Sequence, residues 1–284
     1  MISSSFDYSR ASSLDDAIKK LAAANGTAKL VAGGHSLVPL MKLRLSEPQA
    51  LVDIARIRAL SGISERDGKI VVGATTSHHA VATSALLRGQ CPGVADAAGE
   101  IGDPQVRNRG TLGGSLAHAD PAADYPAVML AVDAEIHLKG PKGWRVVRAD
   151  GFFQDLFTVD LAPDEVIASV QFVPVRASAY TKLRQRASHY AIVGVAAALQ
   201  VSSGTIQSAR VGLTGAGPHA MRLTGVERAL AGQPLTQATI EAASQHAAAD
   251  VTQVNADIHA SEAYRRAMIP VLTRRALEGA MRRA

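Results

Sequence analysis

The chain of 284 residues contains a single cysteine, Cys91. One thiol cannot form an internal disulfide, and it cannot supply the set of thiolates that an iron–sulfur cluster or a structural zinc site requires. If the function needs iron–sulfur chemistry, another chain must therefore supply the clusters.

Aromatic residues are also scarce, at 4% of the sequence, and no basic run is interleaved with them. The net charge of +5 therefore does not indicate a nucleic-acid interface. No apolar run approaches the ~20 residues that cross a bilayer, and the N-terminus lacks the charged start and apolar stretch of a signal peptide. We predict a cytoplasmic protein with no transmembrane segment and no nucleic-acid partner.

Hydrophobic residues make up 47% of the sequence, which is enough to bury large cores in a chain of this length. Basic residues are concentrated in an apolar C-terminal stretch of helical character. We predict that this helix packs on its own domain with its charges in solvent, and subunit docking is the alternative. Its arginines are Arg265, Arg266, Arg274, Arg275, Arg282 and Arg283.

Two glycine-rich strings are the most informative feature. Ala32-Gly33-Gly34-His35-Ser36 and Gly110-Thr111-Leu112-Gly113-Gly114-Ser115 each follow a short apolar run. Such strings bring backbone N–H groups against phosphate, and neither carries a Walker lysine. Two of them predict a dinucleotide whose diphosphate is held from two sides by amides.

The N-terminal region has the pattern of a small βαβ lobe. Ser13 is predicted to cap an amphipathic helix that ends at Asn25-Gly26. Strands are predicted at residues 29–32 and 51–54. A further strand over 69–74 leads to a helix that Thr75 or Thr76 would cap, and that helix ends near Cys91.

A change of composition after Pro174 predicts a domain boundary near residue 176. Before it, residues 126–138 predict a helix and then a strand, and 166–173 predict another strand. After it, β-rich stretches at 192–201 and 208–213 precede a helical region from Thr224. We predict an α+β protein with a first domain over 1–176, in lobes of about 1–57 and 58–176, and a second over 177–284.

Two short patterns resemble motifs of other classes of site but lack the surrounding sequence that those sites require. Gly34-His35-Ser36-Leu37-Val38 resembles a hydrolase nucleophile elbow, but its last glycine is replaced by valine. The string from Gly215 to Ala220 fits a Rossmann fingerprint, but a helical region follows it, so a plain turn is favoured.

Histidines and acids raise three further hypotheses. His78 and His79 are sequence neighbours, so they would point to different sides of a helix, and we predict both at the surface. The segment from His118 to Asp124 carries Asp120 as a second acid. It could ligate a metal, perform acid–base chemistry or bind ribose hydroxyls, and we favour ribose because the adjacent glycine string already predicts a nucleotide.

Five motifs occur in order along the chain, at residues 32–45, 106–114, 120–124, 182–191 and 261–266. Together they resemble the FAD-binding medium subunit of molybdenum hydroxylases, the family that includes the carbon monoxide dehydrogenase medium subunit and the xanthine dehydrogenase flavin domain. The likeness covers nearly the whole chain.

The resemblance implies a vanillyl-alcohol-oxidase-type FAD-binding fold, with two N-terminal α/β lobes and a C-terminal domain of a three-stranded sheet plus helices. Residues 32–36 and 111–115 would wrap the diphosphate, Asp124 would bind a polar part of the nucleotide, Ile167 would touch the adenine end, and Tyr190 would cover one face of the isoalloxazine. Lys182 would contact the cofactor. The full predicted set is Ala32, Gly33, Gly34, His35, Ser36, Leu37, Val106, Gly110, Thr111, Leu112, Gly113, Gly114, Ser115, Asp120, Asp124, Ile167, Lys182 and Tyr190.

The resemblance also implies partners. A large subunit would oxidise the substrate at a molybdenum cofactor, and electrons would cross two [2Fe–2S] clusters of a small subunit to reach FAD and then an external acceptor. The assembly would be a dimer of heterotrimers. This chain would hold no catalytic acid or base and no metal. The alternatives are a stand-alone FAD-dependent oxidase and a hydrolase that uses Ser36.

Overall fold

The computed structural model describes residues 2–284. Its first part is a three-stranded parallel sheet in the order β1-β3-β2, formed by β1 (Asp7–Arg10), β2 (Ala28–Val31) and β3 (Ala50–Asp53). Helix α1 (Leu14–Ala23) joins β1 to β2, and helix α2 (Leu37–Lys42) joins β2 to β3. The predicted cap of α1 is confirmed, since Ser13 Oγ accepts from Asp16 N at 3.1 Å.

Neither β1 nor α2 was predicted from the sequence. The β1 residues are mostly exposed and polar, so they lack the alternation that marks a half-buried strand. Helix α2 contains Pro39, which lies in its first turn, where a missing N–H removes no helical hydrogen bond.

The middle of the chain forms a five-stranded antiparallel sheet in the order β4-β5-β10-β6-β7. Its strands are β4 (Ile63–Arg66), β5 (Lys69–Gly73), β6 (Glu135–Gly140), β7 (Gly143–Arg148) and β10 (Val166–Phe172). A small ribbon of β8 (Phe153–Asp155) and β9 (Thr158–Val159) lies between β7 and β10 in the chain. A single 3₁₀ turn covers Arg58–Leu60.

Seven helices accompany this sheet: α3 (His78–Thr83), α4 (Ala85–Gln90), α5 (Pro92–Glu100), α6 (Pro104–Arg109), α7 (Leu112–His118), α8 (Asp124–Ala131) and α9 (Ala149–Phe152). The cap of α3 is Ser77, whose Oγ accepts from Ala80 N, so the prediction of Thr75 or Thr76 is wrong. The second glycine string is not a loop after a strand. It follows α6, and Gly113 and Gly114 lie inside α7.

The C-terminal part is a four-stranded antiparallel sheet in chain order, with helices packed on it. The strands are β11 (Ser178–Arg184), β12 (Ala191–Ser202), β13 (Thr205–Thr214) and β14 (Met221–Arg222), and the helices are α10 (Thr224–Leu230), α11 (Gln237–Ser244) and α12 (Glu262–Met281). The resemblance implied three strands; the fourth, β14, is only two residues long. The turn predicted at Gly215 to Ala220 links β13 to β14.

Helix α12 differs from the prediction of a helix with solvated charges. Arg265 is buried, and its guanidinium donates to the carbonyls of Ile192 and Gly215 at 2.6 and 2.8 Å. After the helix, Arg283 pairs with Asp96 at 2.6 Å. Part of the arginine cluster therefore binds this chain's own backbone and acids. No helix in residues 2–284 is long and apolar enough to span a membrane.

The hydrophobic cores cross the borders between the sheets. Val166 and Ala168 of the middle sheet belong to the core of the first sheet. Tyr180 and Ala196 of the C-terminal sheet belong to the core of the middle part. The three sheets are therefore packed against each other through apolar contacts, which hold the segments between them in fixed positions.

A glycine pair tests this packing. A Cβ added at Gly212 in β13 would lie 2.1 Å from the Ala127 carbonyl oxygen of α8, which is backbone and cannot rotate away. We expect Gly212→Ala to lower the free energy of unfolding by about 1–3 kcal/mol. The control is Gly99→Ala in α5, where nothing lies within 4 Å, and alanine should stabilise the helix by about 0.5–1 kcal/mol. Urea denaturation of both variants measures the difference, and equal effects would contradict the close contact.

Candidate functional site

A cleft of about 730 Å³ lies where the first sheet, the middle helices and a loop of the C-terminal sheet meet. This volume lies within the range of small-molecule and cofactor sites. Of the predicted contact residues, the following line it: Ala32, Gly33, Gly34, His35, Ser36, Leu37, Val106, Gly110, Thr111, Gly113, Gly114, Ser115, Asp120, Asp124, Ile167 and Tyr190. The fold therefore brings these distant motifs to one place.

The first glycine string offers free backbone donors. Within residues 2–284, the N–H groups of Gly33 to Leu37 donate to no protein acceptor. The carbonyls of Gly34 and Ser36 accept the first bonds of α2, so the chain turns into the helix while these amides stay free. Gly34 has φ of +73°, a conformation that favours glycine. Consecutive free amides fit an anionic group such as a diphosphate.

The second string behaves differently from the prediction. The N–H groups of Leu112 to Ser115 are all taken by protein acceptors, at 2.8 to 3.2 Å, namely Thr76 O, Ala74 O, Thr111 Oγ1 and Thr111 O. These amides are therefore not available to a ligand in this arrangement. The string forms the first turn of helix α7, which its own Thr111 caps. It therefore lines the cleft with the side chains of Thr111 and Ser115 and with Gly114, and not with free amides.

The two strings touch each other. A Cβ added at Gly33 would lie 2.2 Å from the Arg109 carbonyl oxygen, just before the second string. Glycine at 33 is therefore needed for the first string to pack on the second, whether or not a ligand is bound.

The acidic segment after α7 forms another wall. Asp124 is 4% exposed, and its Oδ1 accepts from the Tyr180 hydroxyl at 2.5 Å and pairs with Lys182 Nζ at 2.8 Å. Burial raises the pKa of Asp124, although the neighbouring ammonium opposes this. Asp120 accepts from Ala122 N at 2.8 Å, and burial raises the pKa of its carboxyl as well.

Two predicted contact residues do not line the cleft. The Lys182 side chain is fully buried, and its Nζ donates to the carbonyls of Glu100 and His189 at 2.7 Å each, besides pairing with Asp124. Leu112 is buried in the middle core. The Lys182 ammonium therefore lies behind Asp124 and is not positioned to contact a ligand in the cleft directly.

Tyr190 lies at the mouth of the cleft and is 42% exposed. Its loop is fixed by His189, which has φ of +61° and whose Nδ1 lies 3.0 Å from the Gly102 carbonyl oxygen. Partial burial and the two carboxylates Asp120 and Asp124 raise the pKa of Tyr190 to about 12, so its hydroxyl stays protonated at neutral pH.

Sequence reasoning missed several lining residues, among them His78 and Phe157. His118, which begins the acidic segment considered in the sequence, lines the cleft as well. The prediction of two surface histidines is wrong for His78, which is 5% exposed, and His79 is exposed as predicted. His78 Nδ1 lies 3.3 Å from the Tyr125 hydroxyl. The ring of Phe157 packs against His118 with centroids 5.1 Å apart. The one signal available for His78 was its position on a helix. Adjacent residues of a helix point to different sides, so an exposed His79 is compatible with a His78 that faces inward.

The cleft holds no set of groups for hydrolysis or metal chemistry. His35 Nδ1 contacts the Gly33 carbonyl at 2.9 Å, so it does not act on Ser36 through that atom, and no histidine is hydrogen-bonded to Ser36 within residues 2–284. The same residues contain no group of three or more His, Cys, Asp or Glu side chains that could hold a metal ion. Free amides, hydroxyls and buried carboxylates suit binding of a nucleotide.

Comparison with known proteins agrees with this chemistry. Residues 4–175 match the family described as "FAD binding domain in molybdopterin dehydrogenase", and residues 178–280 match "CO dehydrogenase flavoprotein C-terminal domain". This chain belongs to the FAD-binding medium-subunit family of the molybdenum hydroxylases. The family predicted from the motifs is confirmed.

Individual members of the medium-subunit family align over the full length. The carbon monoxide dehydrogenase medium chain of Hydrogenophaga pseudoflava is 38% identical, with 100% of this chain and 99% of that one covered. A subunit of the 6-hydroxypseudooxynicotine dehydrogenase complex of Paenarthrobacter nicotinovorans is 37% identical, with 99% and 96% covered. A solved carbon monoxide dehydrogenase structure from Hydrogenophaga pseudoflava superimposes with a TM-score of 0.95 at 38% identity, covering 100% of both chains. The mixed helix and sheet architecture is thus that of the medium chains.

We expect the buried His78 to make the stability of the protein depend on pH. Burial, with smaller contributions from His35 and Arg107, lowers the pKa of His78 from 6.5 to about 4. The unfolded chain therefore takes up a proton first as the pH falls, and the folded state loses stability between pH 6.5 and 4. We expect this group to account for about 3 kcal/mol of the loss.

The measurement is the free energy of unfolding at pH 7 and at pH 4 for the native chain, His78→Gln and His79→Gln. The first variant should lose less stability on acidification than the native chain. His79→Gln, on the exposed side of the same helix, should follow the native curve. Identical curves for all three proteins would contradict the buried neutral imidazole.

Gly114 should matter for FAD affinity. A Cβ there would lie 2.8 Å from Thr111 Oγ1, the hydroxyl that caps α7 and lines the cleft. We expect Gly114→Ala to weaken FAD binding about tenfold or more, with little change in circular dichroism. Gly89→Ala in α4, where nothing lies within 4 Å, is the control. Titration of flavin fluorescence measures both, and an unaltered affinity in the first variant would leave this turn without a binding role.

Proposed function

We propose that this chain binds FAD non-covalently in the cleft and works as the electron-transfer subunit of a molybdenum-containing hydroxylase. In this role it receives electrons from [2Fe–2S] clusters of a small subunit and passes them to an external acceptor. The observation that carries the proposal is the run of free amides from Gly33 to Leu37, which faces a cleft of about 730 Å³ in a chain that belongs to an FAD-binding family.

The proposed contacts follow the lining residues. The first string would hold the diphosphate through its amides, with Thr111 and Ser115 on the opposite side. Asp124 would accept from a polar part of the nucleotide, and Ile167 would pack on the adenine end. Tyr190 would cover one face of the isoalloxazine. Bound FAD supplies exchange between one-electron and two-electron carriers, and the chain's residues bind, orient and shield it.

The finer architecture is also a proposal. A fold of the vanillyl-alcohol-oxidase type is supported by the parallel first sheet, the mixed middle part and the cleft between them. A domain boundary near residue 176 is supported by the matched ranges, which end at 175 and resume at 178. The shared cores mean that the lobes and domains of this proposal are closely packed units.

A complex with a large molybdenum-cofactor subunit and a small [2Fe–2S] subunit, as a dimer of heterotrimers, is proposed for this chain. The single cysteine supports it, because Cys91 is buried and cannot hold a cluster. Exposed Arg275 and Arg282 make no ion pair within residues 2–284, so they, rather than the whole arginine cluster, are the candidates for contact with an acidic partner surface. A cytoplasmic location remains a prediction.

The relatives of this chain are subunits of enzymes named for different substrates. Its identity to the carbon monoxide dehydrogenase medium chain, 38%, is nearly equal to its identity to the 6-hydroxypseudooxynicotine dehydrogenase subunit, 37%. We propose that substrate choice belongs to the large subunit, whether the substrate is carbon monoxide, an aldehyde or an N-heteroaromatic compound.

The test is to produce the chain alone and together with the large and small subunits of its complex. We expect flavin in the complex, and reduction of a dye by a candidate substrate only when all three subunits are present, because this chain has no second redox centre. Full substrate-dependent turnover by the FAD-loaded chain alone would favour a stand-alone oxidase. A complex that contains no flavin would refute the cofactor assignment.

A further inference from the structure

The acidic wall of the cleft is held from behind by the C-terminal sheet. Thr214, at the end of β13, is wholly buried, and its Oγ1 lies 2.9 Å from the Pro121 carbonyl oxygen and 2.8 Å from the Ala123 carbonyl oxygen. Two backbone bonds support the same segment, from Gly215 N to Pro121 O at 2.8 Å and from Ala191 N to Ala122 O at 3.2 Å.

A second buried hydroxyl from the same sheet acts on the end of this segment. The Tyr180 hydroxyl donates to Asp124 Oδ1 at 2.5 Å. Tyr180 has room because β12 carries Gly194 beside it. A Cβ at Gly194 would lie 2.3 Å from the Tyr180 hydroxyl oxygen and 2.9 Å from Thr214 Cγ2. The two hydroxyl residues therefore flank one glycine, and both are directed at the segment of residues 121–124.

The segment needs this support because residues 119–123 lie between α7 and α8 without regular secondary structure. The bond from Thr214 to the Ala123 carbonyl is buried, so water does not readily replace a lost donor there. Neither hydroxyl residue lines the cleft, so neither is available to touch a ligand there.

We propose that Thr214 and Tyr180 are positioning residues that fix the Asp120–Asp124 wall and thereby set the affinity of the cleft for FAD. The inference rests on the proposed function, since it concerns the same cleft. In this inference the C-terminal sheet helps to retain FAD by supporting residues 121–124, and its Thr214 and Tyr180 do not contact FAD themselves.

The first experiment compares Thr214→Val, which replaces the hydroxyl with a methyl group of similar size, with Thr214→Ser, which keeps the hydroxyl. Thr273→Val is the matched control, because Thr273 is also wholly buried and its Oγ1 donates to a backbone carbonyl, that of Ile269, at 2.8 Å inside α12. The FAD dissociation constant is measured by flavin fluorescence in the complex purified with its partner subunits, and the melting temperature is measured in parallel.

We expect Thr214→Val to weaken FAD binding about tenfold and Thr214→Ser to stay within about twofold of the native complex. Thr273→Val should leave FAD affinity unchanged, because the hydroxyl that it removes bonds only within α12. Equal loss of FAD in Thr214→Val and Thr273→Val would show a general effect of stability and overturn the inference. Loss in Thr214→Ser equal to that in Thr214→Val would also overturn it, because the hydroxyl would then be irrelevant.

Tyr180→Phe gives an independent measurement if Thr214→Val does not assemble. The ring still fills the space beside Gly194, and only the bond to Asp124 is lost. We expect FAD affinity to fall about tenfold, and native affinity in this variant would overturn the role of Tyr180. A native complex that binds no FAD would instead refute the proposed function, so the two failures are distinguishable.

Discussion

The close contact between Gly33 and the carbonyl of Arg109 is the constraint on which the cleft depends. It brings the exit of β2 against the end of α6, two segments that are far apart in sequence and belong to different parts of the fold. With this contact in place, the free amides of the first string face the cleft wall that begins at α7. A side chain at position 33 would separate the two segments, and the cleft would lose one of its sides.

Asp124 and Lys182 form a buried ion pair, which depends on electrostatics and not on close packing. Two charges have been moved out of water, and such a pair is stable only where further hydrogen bonds satisfy the remaining donors and acceptors. Here the ammonium also donates to Glu100 O and His189 O, and the carboxylate also accepts from Tyr180. Because His189 precedes Tyr190, the pair connects the acidic wall with the loop that carries the aromatic ring at the mouth of the cleft.

Much of the fold and of the site could be predicted, but through different signals. Local rules were sufficient for α1, whose cap and apolar spacing lie within one segment, and the ordered motifs were sufficient for most cleft residues. Local rules failed where tertiary contacts decide. The amides of Leu112 to Ser115 are taken by Thr76 and Ala74 as well as by their own cap, which no spacing reveals. Lys182 belongs to one of the ordered motifs, but its ammonium is paired with Asp124 behind the cleft wall. His78 faces inward, where it contacts Tyr125 and Gly110.

The sharing of hydrophobic cores between the sheets has a consequence for how the chain comes apart. Tyr180 and Ala196 complete a core that is built mainly by the middle part, and Val166 and Ala168 complete that of the first sheet. Cutting the chain at either border would leave apolar surface without its covering, so a fragment would tend to aggregate rather than persist as a folded unit. Thermal unfolding should accordingly be cooperative across all three sheets.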